Sequence, residues 1–156
     1  MTASGAAALD VRVARVPGGR DRLARDLRRL AREIAALGGR SVALSYSVVD
    51  DEEMAGLHET YSGVPGPTDV LSFPLAEEPL VMGEIVVSAE TARREAGARG
   101  HSAYDELVLY AVHGSLHLVG YDDHDPRDRR RMRAAERKVL HALGIEPVFA
   151  QRRVSK

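Results

Sequence analysis

The chain of 156 residues contains no cysteine and no tryptophan, and among its 22 basic residues only Lys138 and Lys156 are lysines. Without cysteine there is neither a disulfide framework nor a thiolate metal site, so any metal must be held by nitrogen and oxygen. Aromatic residues are few, two phenylalanines and five tyrosines, and no stacking platform for bases is evident. No apolar run approaches the roughly 18 residues of a membrane span, so no membrane partner is expected. The opening MTASGAAALD lacks a basic segment followed by an apolar one and does not read as a secretion signal, which favours the cytoplasm. Net charge is -1; there is no global positive field, and DNA is not an expected partner.

What is present is the composition of one soluble globular domain, with 44% hydrophobic and 29% charged residues. No repeat or compositional break divides it, so residues 1–156 read as one domain with flexible ends at 1–8 and 150–156. LDVRVARV (9–16) and SVALSYSVV (41–49) alternate apolar and polar residues as strands do. Between them Leu23, Leu27, Leu30, Ile34 and Leu37 recur at three- and four-residue steps, the stripe of an amphipathic helix closed by Gly38. Asp50 reads as the N-cap of a short helix through Met54, Leu57 and Tyr61. DVLSF and MGEIVVS read as two further strands. Ser88, Ser102 and Asp125-Pro126 then mark three helix starts. The order β-α-β-α-β-β-α-α-α predicts an α+β fold: a mixed four-stranded sheet covered by about five helices.

The chemistry concentrates in HGSLHLVGYDDHD (113–125), which holds three of the six histidines. His113 and His117 are four apart, so on a helix their imidazoles sit one turn above each other and can share an ion. Gly120 can turn the chain back, returning Asp122, Asp123 and His124 towards the same point. Three protein ligands from such a helix-turn leave a fourth position open, the pattern of a catalytic metal. Zinc proteases place a glutamate directly after the first histidine as general base; here that position is Gly114. Peptide hydrolysis by that route lacks its proton acceptor.

HGSLHLVGYDDHD resembles the signature HGxLHLxGYDH of the YbeY family of bacterial endoribonucleases. PTDVLSFP (67–74), GEIVVSAETARREA (83–96) and HSAYDELVLYAVHG (101–114) are similar to further blocks of that family, in its order, so the resemblance runs from about His58 to Met132. It implies an α+β domain, one Zn2+ held by three histidines, and metal-dependent cleavage of single-stranded RNA. The implied setting is maturation and quality control of ribosomal RNA, with the small ribosomal subunit as partner. His113 and His117 match the first two ligands. The third falls on Asp123; the family's methionine nine residues further on is Met132, so the ungapped register favours Asp123, with His124 the alternative. The family often carries an arginine after a tyrosine in the loop that follows the second helix; here Tyr61 is followed by Ser62.

Catalytic candidates are therefore His113, His117, Asp123 and His124, with Asp122 as a group that could orient water. Arg127, Arg129, Arg130, Arg131 and Arg133 open the last helix beside the metal turn as a patch that could attract RNA phosphates, with Arg127, Arg130 and Arg131 the substrate-binding candidates. Arg22, Arg25, Arg29 and Arg32 read as a solvated helix face. His58, His101 and His141 read as isolated, Thr68 and Asp69 as a turn that could wall the cleft, and Glu84 and Glu106 as outer carboxylates by position alone. Two rival readings share the motif. One is a metallohydrolase of another substrate; the other is a ribosome-associated RNA-binding factor whose metal is structural.

Overall fold

A computed structural model describes residues 3–146. The chain runs β1 (Gly5–Val11), α1 (Arg20–Gly38), β2 (Val42–Val49), α2 (Asp51–Ser62), β3 (Val70–Ala76), β4 (Val81–Ser88), α3 (Ala89–Arg99), α4 (Ala103–Leu118) and α5 (Pro126–Ala142). The four strands form one sheet in the order β1-β2-β4-β3, with β3 antiparallel to β4 and the other pairs parallel. This is the expected α+β domain with a mixed sheet and five helices.

Each strand sends alternate residues to opposite faces, and both faces are used. On one, Val42, Leu44, Tyr46 and Val48 of β2 and Val81, Ile85 and Val87 of β4 pack against α1, α4 and α5 in the main core. On the other, Val49, Met54 and Val86 form a small second core with Leu57, Leu71 and Phe73. Helix α4 is buried from Leu107 to Val112, which suits a segment apolar on all sides. The expected N-caps are in place: Asp50, Ser88, Ser102 and Asp125 each accept a backbone N–H three residues on, at 2.8, 3.1, 3.0 and 2.8 Å.

The first strand differs from expectation. It begins at Gly5, so residues 5–8, expected to be flexible, are paired with β2, while 12–16 leave the sheet. Its inward face is Gly5, Ala7, Leu9 and Val11, and the outward Ala6 and Ala8 are no more polar than Ala7, a weak signal in sequence. Gly5 lets it lie close on α1: a Cβ there would stand 2.2 Å from the carbonyl oxygen of Ala31. The other expected flexible end, 150–156, lies outside the described residues. None of the described helices is long and apolar enough to cross a membrane.

Candidate metal centre

The centre is built on the last two turns of α4. His113 and His117 share the side of the helix that lines the cleft, while Gly114, between them in sequence, faces the sheet. A Cβ at Gly114 would lie 2.8 Å from Ile85 Cγ2, 2.8 Å from Ser72 Oγ and 3.0 Å from Val70 Cγ2. The position that holds the general base in zinc proteases is thus pressed on β3 and β4, with no room for a carboxylate. Ser72 Oγ donates to the Gly114 carbonyl at 2.9 Å and pins β3 to this turn.

After Leu118 the helix unwinds: Tyr121 N–H returns to Leu116 O at 3.0 Å, and Gly120 takes φ 101°, open to glycine without strain. The reversal brings Asp123 Oδ2 to 3.5 Å from His113 Nε2 and 3.8 Å from His117 Nε2, with the two Nε2 atoms 3.0 Å apart. In a tetrahedral site with bonds of about 2.0–2.1 Å, ligand atoms stand about 3.3–3.4 Å apart. The observed triangle brackets that edge, so the donor set and its spacing fit a single small cation with a fourth position open to the cleft.

A residue unforeseen in the sequence completes the arrangement. Glu136 on α5, buried to 3% exposure, places Oε2 2.6 Å from His113 Nδ1. A carboxylate only accepts, so Nδ1 carries the proton and Nε2 presents its lone pair to the centre. The His117 pKa is held below its ordinary value by burial first and then by the neighbouring His113. Both effects favour the neutral ring that a metal requires.

His124 takes another place. Its side chain is 83% exposed, and Nε2 stands 3.2 Å from Asp122 Oδ1. Asp122, Asp123 and His124 do form a second group of donors within reach of one another, on the exposed side of the turn. Asp122 Oδ1 also accepts the Asp123 N–H at 2.8 Å, holding the loop that presents Asp123.

The cluster lies in a cleft of about 890 Å3, walled by Asp69 and the first residues of β3, by α4 and by α5. Its guanidinium groups belong to Arg40, Arg129 and Arg133. Arg127, Arg130 and Arg131 are exposed outside that lining. Along α5 the buried stripe is Met132, Ala135, Glu136, Val139 and Leu140; Arg129 and Arg133 flank it at helical spacing, which the sequence could have shown. Arg131 instead sits over the Tyr121 ring, 5.4 Å from its centroid. Of the expected wall residues Asp69 does line the cleft. Glu106 does not: it is fully buried between Arg99 and His101 Nε2, the latter at 2.7 Å. Glu84 is also outside the lining. Ser62 Oγ turns back to donate to His58 O at 2.6 Å.

Fold and site define a class: an α+β domain carrying a two-histidine, one-carboxylate cluster suited to a metal, at the floor of an open cleft. Residues 20–144 match the family model described as endoribonuclease YbeY. The chain is 44% identical over 115 residues to the endoribonuclease YbeY of Pelotomaculum thermopropionicum, covering 69% of this chain and 76% of that protein. It is 42% identical over 137 residues to that of Thermobifida fusca, covering 80% and 86%. Among solved structures, the solution structure of a Thermotoga maritima protein superimposes with a TM-score of 0.66 at 26% identity, over 96% of this chain and 93% of that one. The chain belongs to the endoribonuclease YbeY family.

Proposed function

We propose that this protein is a metal-dependent endoribonuclease that cuts single-stranded RNA. The observation that carries the reading is the triangle of His113 Nε2, His117 Nε2 and Asp123 Oδ2 at the floor of the cleft. In this reading those three residues hold one Zn2+ ion, and His124 does not ligate. When bound, such an ion supplies Lewis acidity to a phosphodiester and acidifies the attacking water.

The protein's own groups supply the rest. Glu136 fixes the His113 ring through Nδ1. With Asp123 committed to ligation, the Asp122 carboxylate, paired to His124 Nε2 at 3.2 Å, is the group at the turn that could orient water. Arg129 and Arg133 on the cleft wall offer the planar donors that match phosphate oxygens, the service an arginine at position 62 would give. Arg127, Arg130 and Arg131 add attraction from outside the cleft. Membership of the family supports the further reading that the substrate is ribosomal RNA, met on the small ribosomal subunit in the cytoplasm.

The test is cleavage of a labelled single-stranded RNA by zinc-loaded wild type and by His117→Ala prepared identically. Cutting by the wild type alone, abolished by a chelator, is the expected result. Equal cutting by both proteins, or by neither, refutes the proposal.

A further inference from the structure

Helix α2 is short and covers only part of its face of the sheet. In its last turn and beyond it, Tyr61, Val64, Leu75 and Met82 are the large apolar residues left exposed among the described residues, at 67, 49, 65 and 40%. Of these, Tyr61 has a specific geometry. The Tyr61 ring lies against Phe73 with centroids 4.4 Å apart and planes tilted by 46°. Phe73 is anchored in the small core with Leu71, Met54 and Val86, so it backs the tyrosine from below.

The segment presenting Tyr61 is tied down. Ser62 Oγ donates to His58 O at 2.6 Å and accepts Val64 N–H at 3.2 Å, while His58 Nδ1 donates to Gly66 O at 2.9 Å. A planar ring is therefore held in place on one side and open to solvent on the other. An ordered tyrosine within an exposed apolar patch of this kind marks a binding surface more than a chance surface residue.

Its position relative to the cleft identifies what it takes. β3 is one of the two edge strands of the sheet. Ser72 and Pro74, the residues on either side of Phe73, line the metal cleft, and Ser72 bonds directly to Gly114 beside His113. The aromatic pair and the candidate metal centre thus lie on opposite faces of one edge strand, joined around its free edge. A single strand of nucleic acid can bend across such an edge, placing a phosphate in the cleft and a neighbouring base on the far side. A duplex, stiff and with its bases already stacked, cannot.

We propose that Tyr61, backed by Phe73, is a base-stacking subsite for single-stranded RNA flanking the cleft; this rests on the reading of the protein as a ribonuclease. Stacking of one base on an aromatic ring is sequence-tolerant, so the subsite selects unpaired RNA over duplex without selecting a base.

The chain has no tryptophan, so Tyr61→Trp introduces a single indole reporter at the subsite. Its emission should be quenched by a short unstructured RNA and not by the same oligomer made abasic. Fluorescence anisotropy with labelled RNA should show Tyr61→Ala binding about tenfold more weakly than wild type, with Tyr61→Phe restoring affinity, as expected for one base stack. Undiminished RNA binding by Tyr61→Ala would overturn the proposal and leave the patch as a protein-docking face. Equal quenching by the abasic oligomer would also overturn it, since phosphate alone would then account for contact. Neither readout uses cleavage: failure to cut RNA with the tyrosine effect intact would sink the ribonuclease reading and not the binding surface.

Discussion

Glu136 Oε2 stands 2.6 Å from Nδ1 of His113, joining the middle of α5 to the last turns of α4 through one hydrogen bond. Both helices pack in the same core, so the ring of His113 is held by a contact between two helices. Arg133 NH1 lies 4.0 Å from the other carboxylate oxygen, which links the cleft wall to the same buried group. The centre is therefore preorganised from a second helix, and this gives it a specific point of failure.

Glu136→Gln keeps the volume and removes the full acceptor charge. The ring of His113 then loses its fixed tautomer, and zinc affinity should drop about 10–100-fold, the usual cost of losing such a partner. Competition against a chromophoric chelator measures it. Unchanged affinity would mean that Glu136 serves only to pack α5.

Acid should weaken the metal-free protein through His117. Its folded pKa lies below the ordinary 6.5, with burial as the main cause and His113 next. In the window between 6.5 and that lower value the unfolded chain binds more protons, so stability falls as pH drops through it and is unaffected above it. Denaturant midpoints in chelator at about pH 7.5 and about pH 5.5 should separate for the wild type more than for His117→Gln. Equal separations would remove His117 as the source.

Much of this was legible in the sequence because it is local. Caps at Asp50, Ser88, Ser102 and Asp125 are read from a residue and its third neighbour, and His113 with His117 from one helical turn. What could not be read depends on two distant segments meeting. Glu136 is a charged residue in a buried stripe, which sequence marks only as an anomaly until α5 is laid on α4. The Tyr61–Phe73 pair joins a helix end to an edge strand. The arginine run of 127–133 is legible along the chain, but which of its members line the cleft depends on helical face, and those are Arg129 and Arg133. The start of β1 is not legible because Ala6, Ala7 and Ala8 give no alternation to see.

The third ligand is separable by substitution. Asp123→Ala should reduce zinc binding to below half of one ion per chain under dialysis, since two imidazoles alone leave the site open on two sides. His124→Ala, whose ring is 83% exposed and paired to Asp122, should keep a full ion. Metal analysis after dialysis decides between them; loss in His124→Ala alone would reverse the assignment. Asp123→His, which restores the family's residue, should bind zinc at least as tightly as the wild type.

The contact of α4 with the sheet gives a paired prediction on glycine. Replacing an interior helical glycine by alanine ordinarily stabilises by up to about 1 kcal/mol. Gly97 in α3 has nothing within 4 Å of an added Cβ, so Gly97→Ala should raise the melting temperature by about 2–4 °C. Gly114→Ala gains the same helical term but meets Ile85 Cγ2 and Ser72 Oγ at 2.8 Å and Val70 Cγ2 at 3.0 Å. Ser72 can rotate only by giving up its bond to the Gly114 carbonyl. Ile85 and Val70 are β-branched residues in strands, stiff about χ1. Relief then requires α4 to lift from the sheet, and overpacking of this kind costs about 1–3 kcal/mol. The net change at Gly114 should be a fall of a few degrees, opposite in sign to that at Gly97, in thermal melts of the metal-free protein. Because the same displacement carries His113 away from Asp123, zinc affinity should fall in Gly114→Ala and stay unchanged in Gly97→Ala. A Gly114→Ala protein that melts higher and binds zinc normally would show that the sheet yields at this contact.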